Sequence, residues 1–194
     1  MVSCYDFGMT PTGTTQRLIL RPLELEDAEQ IQKYFAHWKV VRYLLNHVPW
    51  PYPTDGALVY LRDVALPQDQ RGEAWHWTIR LRTDPEQLIG AISLMKGVDD
   101  NRGFWLGLPW QGQGLMSEAC IWVNDFWFET LGFPVLRVPK ASVNIASSRI
   151  SRKQGTRLVG TNEKDYVCGP LPGEQWEITA EEWETWKAQN LPHP

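Results

Sequence analysis

The sequence predicts a mixed α/β fold in which one sheet is covered by helices. Three observations lead to this class. Apolar residues recur with strand spacing in some segments and with helix spacing in others. Three strand patterns follow one another in the middle of the chain, and a strand–helix–strand–helix unit comes after them. The 194 residues, 43% of them hydrophobic, are enough for one domain with a substantial core.

The first half of the chain begins with a strand and continues with helices. Polar and apolar residues alternate over 17–23, which predicts a strand near an edge of the sheet. Helical spacing between 27 and 45 predicts one or two helices, and Thr54-Asp55 caps a further helix that runs to about residue 65. Alternating or continuous apolar runs then predict strands at 74–82, 88–95 and 103–108.

The second half alternates helices and strands. Helices are predicted at 115–128 and 147–154, and strands at 135–138, 158–159 and 166–167. A capping box at Thr179–Glu182 opens a last helix over about 179–189. We expect a single domain over 1–194, with a core over about 15–170 and a C-terminal extension that carries the last helix.

The composition argues against several classes of protein. Nineteen Lys and Arg residues against 23 Asp and Glu give no broad attraction to nucleic acid. No apolar run reaches the roughly 18 residues of a membrane span, and Met1–Thr14 lacks the pattern of a signal peptide. Cys4, Cys120 and Cys168 are too far apart for a disulfide framework or a CxxC metal site, and we expect them to be packing residues. A cytoplasmic protein without a metal site is the expectation.

A glycine turn between a predicted strand and a predicted helix is the first candidate site. Gly112 and Gly114 allow backbone N–H groups to converge at the positive end of the following helix, which suits a phosphate or pyrophosphate. The alternative is a tight turn without a ligand. Ser117 stands where a GxGxxG fingerprint needs glycine, the segment 135–140 lacks an acidic residue, and no GK[ST] occurs, so the turn matches neither a Rossmann nor a P-loop site.

The turn is similar to a loop of a known family. Gln111-Gly112-Gln113-Gly114-Leu115-Met116 resembles the Q/R-x-x-G-x-G/A loop of the GNAT superfamily of N-acetyltransferases, with Met116 at the last position. Asn144 to Ser147, with Lys153 and Gly155, resembles the N-x-x-S…K-x-G segment of its RimJ/RimL-like branch. Thr15–Pro22 and Pro51–Thr54 are also similar to that branch, and the resemblance spans Thr15 to Val167 in order.

The resemblance implies a mostly antiparallel sheet that splays between its fourth and fifth strands, leaving a cleft for acetyl-CoA. A backbone N–H near Leu106 or Leu108 would polarise the thioester carbonyl and stabilise the oxyanion. We expect the donor to be held by Leu106, Leu108, Gln111, Gly112, Gln113, Gly114, Leu115, Met116, Asn144, Ser147 and Arg152.

Ser147 is the first candidate for a catalytic residue. In this branch the serine lies near the cofactor sulfur, where it would give a proton to the departing thiolate, and Asn144 would bond to the pantetheine arm. Ser147 is also a natural helix N-cap, and Asn144 a natural turn residue. Arg149 and Arg152 would meet the adenosine phosphate or remain solvated on the surface.

The general base is not identified by the sequence. A bound water and four side chains are candidates, namely Glu73, His76, Glu163 and Tyr166. The acceptor pocket is expected over 38–52, where Trp38, Trp50 and Tyr52 would form an apolar or cation-attracting wall.

The leading functional prediction is an acetyl-CoA-dependent N-acetyltransferase that acts on a protein N-terminus or a small amine. A non-catalytic CoA-binding module and a binding protein for another phosphate ligand are the alternatives. We expect no nucleic-acid or membrane partner. A homodimer is compatible with the sequence, which does not determine the oligomeric state.

Overall fold

The computed structural model describes residues 10–191, and its first sheet has five antiparallel strands. They are β1 (Gly13–Thr14), β2 (Leu18–Pro22), β3 (Ala74–Leu81), β4 (Asp84–Met95) and β5 (Arg102–Leu106), paired in that order. The strand predicted over 103–108 ends two residues earlier, at Leu106. Gly107 makes a last bond to β4, and a 3₁₀ turn, Leu108–Trp110, with Pro109 inside it, then takes the chain out of the sheet.

Helices between β2 and β3 cover one face of this sheet. They are α1 (Ala28–Phe35), α2 (Trp38–Val41), α3 (Gly56–Tyr60) and α4 (Leu66–Gln70). A π-helical turn, Leu61–Ala65, joins α3 to α4, so this helix runs five residues beyond the predicted end at 65. Buried residues on α1, α3 and the sheet form a hydrophobic cluster that includes Ile31, Phe35, Ala57, Leu61 and Leu88.

A second sheet follows, with the order β6-β8-β7 and all pairs antiparallel. Its strands are β6 (Val135–Ala141), β7 (Arg157–Tyr166) and β8 (Gly169–Thr179). The sequence predicted only short strands at 158–159 and 166–167 and none over 169–179. The glycines and prolines of that segment hide its alternation, whereas pairing on both sides makes β8 the central strand.

The remaining helices pack on the other face of the molecule. Helix α5 (Leu115–Asp125) continues through a π-helical turn to Thr130, α6 (Ile145–Lys153) follows β6, and α7 (Ala180–Asn190) ends the described chain. The predicted capping box is present, because the Thr179 and Glu182 side chains each accept the other's backbone N–H. Trp183 is fully buried, and its indole N–H donates to Asp125 on α5 at 2.8 Å. The C-terminal helix therefore packs on the main core, which is the cluster of buried apolar residues that includes Trp77, Val123 and Leu136.

The two sheets are joined where the turn between β4 and β5 meets β6 and β8, and they diverge from there. The backbone N–H of Asn101 donates to the Arg137 carbonyl at 2.8 Å, and the Arg137 N–H donates to Asn101 Oδ1 at 2.7 Å. Beyond this point β5 and β6 form no ladder within the part of the chain that the structure describes. The splay between the fourth and fifth predicted strands is therefore confirmed.

The cysteines differ from one another in environment. Cys120 is buried in the main core, but Cys168 lies exposed in the turn between β7 and β8, so its prediction as a packing residue is wrong. Cys4 lies outside the described residues. Within 10–191, no helix is long and apolar enough to cross a membrane, and no cluster of three potential metal ligands occurs.

Candidate functional site

The loop 111–116, here called the glycine loop, presents a row of backbone N–H groups. Gly112 and Gly114 adopt φ angles of +77° and +78°, which L side chains rarely adopt. The N–H groups of residues 112–117 donate to no protein acceptor in the region from 10 to 191. Gly114 is also the N-cap of α5, so the helix dipole adds positive potential there. This arrangement suits an anion such as a pyrophosphate.

The glycine loop is held from both sides. Arg17 Nε pairs with Glu118 Oε2 at 2.7 Å, and Arg17 Nη1 donates to the Gln113 carbonyl at 3.0 Å. Burial raises the pKa of Glu118, but hydrogen bonds from Thr15 and Arg17 outweigh burial and lower it. On the strand side, Trp110 packs edge-on against Tyr34 with 5.0 Å between ring centroids, and so supports the loop.

The free edge of β5 directs a backbone N–H toward the gap between the sheets. Gly107 N–H donates to the Ile89 carbonyl of β4 at 2.9 Å. In an antiparallel pair, residues bonded to the neighbouring strand alternate with residues that point away from it, so Leu106 points away from β4. The Leu106 carbonyl accepts a bond from Gln111 Nε2 at 2.8 Å, which agrees with this orientation.

A cavity of about 400 Å³ occupies this gap, and we call it the cleft cavity. It lies between β5, the glycine loop, α6 and the region of α2. Of the residues predicted to hold the donor, those that line it are Leu106, Gln111, Gly112, Met116, Asn144 and Ser147. The structure therefore brings the strand end, the loop and the start of α6 to one space.

The other predicted donor residues do not line the cleft cavity, for local reasons. Leu108 lies in the 3₁₀ turn after the strand, and Leu115 is buried in the main core. Arg152 is exposed, with its guanidinium 5.6 Å from the Trp176 ring centroid. Gln113 and Gly114 contribute backbone N–H groups to the loop but no side chain to the cavity.

Two basic residues that the sequence analysis missed line the cleft cavity. Lys39 and Arg42 come from α2 and the residue that follows it, on the opposite side from α6. Their spacing of three residues places them on one helical face, and that spacing was the signal available in the sequence. They bring positive charge to the cleft cavity, whereas Arg149 and Arg152 are exposed and line neither cavity.

Asn144 and Ser147 have different roles at the start of α6. Asn144 is the N-cap, because its Oδ1 accepts the Ser147 N–H at 3.3 Å. Ser147 lies in the first turn and is 8% exposed, so the interpretation of Ser147 as the N-cap is wrong. Helix α6 is fixed from behind by Gln154, whose Nε2 donates to the Ser117 carbonyl of α5 at 3.1 Å.

A second cavity of about 530 Å³ lies between the sheet and α3, and we call it the α3 cavity. It meets the cleft cavity, because both are lined by Tyr43, Leu44, Phe104, Trp105, Asn144 and Ser147. A ligand in one cavity can therefore touch a ligand in the other beside Ser147.

The predicted aromatic wall is only partly in place. Tyr52 lines the α3 cavity, and burial, followed by the nearby Tyr60, raises its pKa to about 12. Trp38 and Trp50 line neither cavity; they pack on each other with 5.3 Å between ring centroids and are 37% and 42% exposed. The chain bends at residues 50 and 51; Tyr52 packs edge-on against Phe35, whereas Trp50 is exposed.

Of the four side chains predicted as possible general bases, two are exposed and two are buried. Glu73 is exposed and pairs with Arg71 at 2.7 Å, and Glu163 is exposed on β7; neither lines a cavity. His76 and Tyr166 are buried and line the α3 cavity. The Tyr166 hydroxyl has no partner within the described region, and burial raises its pKa.

Two further charged residues line the α3 cavity close to the cleft. Burial raises the pKa of Asp100 to about 6 and lowers the pKa of Lys140 to about 7. Lys140 Nζ lies 5.8 Å from the Phe104 ring centroid, on the inner face of β6. No local pattern in the sequence marks either residue, because they reach the α3 cavity from segments that meet only in the folded chain.

Comparison with known proteins places this architecture in a family. The family model of the acetyltransferase (GNAT) domain matches residues 17–157, which is more than half of the chain. The chain therefore belongs to the GNAT acetyltransferase family, as its resemblance implied.

Individual relatives agree with this assignment. The uncharacterized N-acetyltransferase YoaA of Bacillus subtilis (strain 168) is 30% identical over 159 residues, which cover 78% of this chain and 86% of YoaA. The uncharacterized N-acetyltransferase YnaD of the same organism is 25% identical over 178 residues, covering 88% of this chain and 98% of YnaD.

Solved structures share the fold at lower identity. Ribosomal-protein-S5-alanine acetyltransferase from Vibrio fischeri has a TM-score of 0.75 at 14% identity, covering 89% of this chain and 98% of that one. RimL, a ribosomal L7/L12 alpha-N-protein acetyltransferase solved with coenzyme A, has a TM-score of 0.73 at 17% identity, covering 87% and 98%. These likenesses show that the fold is shared.

Proposed function

We propose that this protein transfers the acetyl group of acetyl-CoA to a primary amine, either a protein N-terminus or a small amine, in a ternary complex. The observation that carries the proposal is the junction of two cavities beside Ser147, one of which ends at the glycine loop. Donor and acceptor can occupy separate spaces and still bring their reacting atoms together, so no covalent enzyme intermediate is required.

The residues of the cleft cavity fit the chemistry of CoA. The N–H groups of 112–117 provide donors for the pyrophosphate, and Lys39 and Arg42 provide positive charge for the remaining phosphate. Asn144 caps α6 through its side-chain oxygen, which leaves its side-chain NH₂ to donate to the pantetheine arm.

The chemical roles follow from the same positions. The N–H of Leu106 is the donor proposed to stabilise the oxyanion that forms as the amine attacks. Ser147 is the group proposed to protonate the CoA thiolate, since it lines both cavities where they meet.

Two measurements test the proposal. Titration with acetyl-CoA, desulfo-CoA and NAD should show binding of both CoA compounds and none of NAD. Release of free thiol from acetyl-CoA should then accompany transfer to at least one member of a panel of N-terminal peptides and alkyl amines. Binding of NAD without CoA would contradict the assignment of the cleft. Binding of acetyl-CoA without transfer across the whole panel would identify a non-catalytic CoA-binding module.

A further inference from the structure

One buried histidine in the α3 cavity has an arrangement that packing alone does not explain. His76 lies on β3 and is 3% exposed, and its Nδ1 is 2.7 Å from Asp69 Oδ1. Its other nitrogen, Nε2, is buried and has no hydrogen-bond partner among residues 10–191. Leaving a buried polar atom without a partner costs about 1–3 kcal/mol, so the arrangement calls for a ligand that supplies the missing bond.

Asp69 determines which nitrogen of the ring is available. A carboxylate can only accept a hydrogen bond, so the proton of the neutral imidazole lies on Nδ1 and Nε2 presents a lone pair. Thr10 donates to the other carboxylate oxygen at 3.3 Å, which helps to fix the orientation of Asp69. The pair therefore has the form of an oriented base, with Tyr60 of α3 as a further ionisable group near Asp69.

The strand register places His76 in line with the cleft. His76 pairs with Ser93 of β4, and Ser93 pairs with Gly103 of β5, so the three residues form one row across the sheet. Strands lie about 4.8 Å apart, so the row spans about 10 Å. Leu106, whose N–H is proposed to hold the thioester oxygen, lies three residues from Gly103 along β5, a distance of about 10 Å. An amine at the thioester would therefore connect to Nε2 through a chain of waters in the cavity, which His76, Ser93 and Gly103 line and which reaches Ser147.

We propose that His76, oriented by Asp69, is the general base that deprotonates the acceptor amine; this rests on the acetyl transfer proposed above. The ammonium group gives one proton to Nε2, and the resulting imidazolium is stabilised by Asp69. The neutral nitrogen then bonds to the acetyl carbonyl carbon, and the carbon–sulfur bond breaks to release CoA thiolate. A second proton passes from the nitrogen to the sulfur through Ser147, and His76 returns its proton to solvent.

The test compares His76→Gln with wild type, using the peptide or alkyl amine that wild type acetylates fastest in the panel above. At neutral pH we expect kcat to fall by about 100-fold, with acetyl-CoA affinity unchanged. The deficit should shrink as pH rises through the pKa of the amine, because the acceptor then arrives without the proton that His76 removes. Asp69→Asn allows the side-chain amide to donate to Nδ1 and so removes the lone pair from Nε2, and it should give a deficit of similar size with the same recovery. Glu73→Gln, which changes an exposed residue that precedes β3 and lines neither cavity, should match wild type.

The outcomes separate this proposal from the preceding one. A His76→Gln protein with wild-type kcat at neutral pH would overturn the role of His76 while acetyl transfer stands. A deficit in both variants that stays constant across pH would also overturn it, because a purely structural role has that signature. If wild type transfers acetyl to no member of the panel, the proposed function itself fails.

Discussion

Two polar residues at the start of α6 have different roles: Asn144 caps the helix, and Ser147 is the proposed proton donor. Asn144 satisfies the helix end through its contact with the Ser147 N–H, so the Ser147 hydroxyl is not needed for capping. A serine that is buried, outside the cap and at the meeting point of two cavities is available for proton transfer.

Ser147→Ala should therefore lower turnover by about 100-fold while acetyl-CoA affinity changes little. The measurement is steady-state thiol release together with a binding titration of acetyl-CoA. Ser148→Ala is the matched control, since the Ser148 hydroxyl donates to Glu174 at 2.9 Å and lines neither cavity. An unchanged rate for Ser147→Ala would remove Ser147 as the proton donor.

Met116 departs from the small residue usual at the end of the loop motif, and its surroundings explain why it fits. Its side chain is 6% exposed and belongs to the main core, where it borders the cleft cavity. The backbone N–H remains in the row of free donors. The larger side chain thus adds packing on the core side without removing the anion-binding backbone.

At the level of structural elements, a substitution in the glycine loop tests the proposed binding of acetyl-CoA. Gly112→Ala should cost about 1–2 kcal/mol of unfolding free energy, because φ of +77° is unfavourable for alanine. It should also weaken acetyl-CoA binding, since the loop backbone must shift. Thermal unfolding and a binding titration measure the two effects.

Gly132→Ala is the matched control for this loop. Gly132 has φ of +71° and follows the helix at its far end, and a methyl group added at its Cα would meet no atom within 4 Å, as at Gly112. A similar loss of stability with unchanged acetyl-CoA affinity is expected. Equal weakening of binding by both substitutions would show that the loop does not contact the donor.

Strand β8 of the β7–β8 hairpin is an element that local sequence patterns do not predict. Pro170 and Pro172 lie in β8, where neither the period of two nor the residue types indicate a strand. Pairing with β6 over residues 173–179 and with β7 over residues 169–177 forms the strand nonetheless. Trp176, in the predicted C-terminal extension, lies buried in the main core.

One buried charge affects the stability of the whole molecule. Lys140 on β6 is buried, and burial, followed by the nearby Arg102, lowers its pKa from 10.5 to about 7. The unfolded chain binds more protons than the folded chain between these two values, so the contribution of Lys140 to the unfolding free energy rises with pH across that window. Below about pH 7 its buried charge is a net cost.

Lys140→Met should therefore stabilise the protein, by about 1–4 kcal/mol below pH 7, and the gain should shrink toward about pH 10. Thermal unfolding of wild type and variant at about pH 6.5 and about pH 9.5 measures the difference. Lys153→Met, which changes an exposed lysine on α6, should show no such pH dependence. A gain that is the same at both pH values would mean that the Lys140 ammonium is not desolvated.

Strands, helices and the anion-binding loop that depend on short segments of the chain could be predicted from the sequence. Periodicity located β2 to β4 and α5, the spacing of Gly112 and Gly114 located the anion loop, and the Thr179 capping box located α7. Each of these depends on neighbours within a few residues along the chain. The order of these features, together with the N-x-x-S segment, was also enough to indicate the family.

Which side chains meet in the candidate site depends on the tertiary structure. His76 comes from the third strand of one sheet, Ser147 from a helix after the second sheet begins, and Lys39 from a short helix between β2 and β3. They lie around connected cavities because β5 and β6 separate after Asn101. That separation depends on strand pairings between distant segments, so no local pattern in the sequence records it.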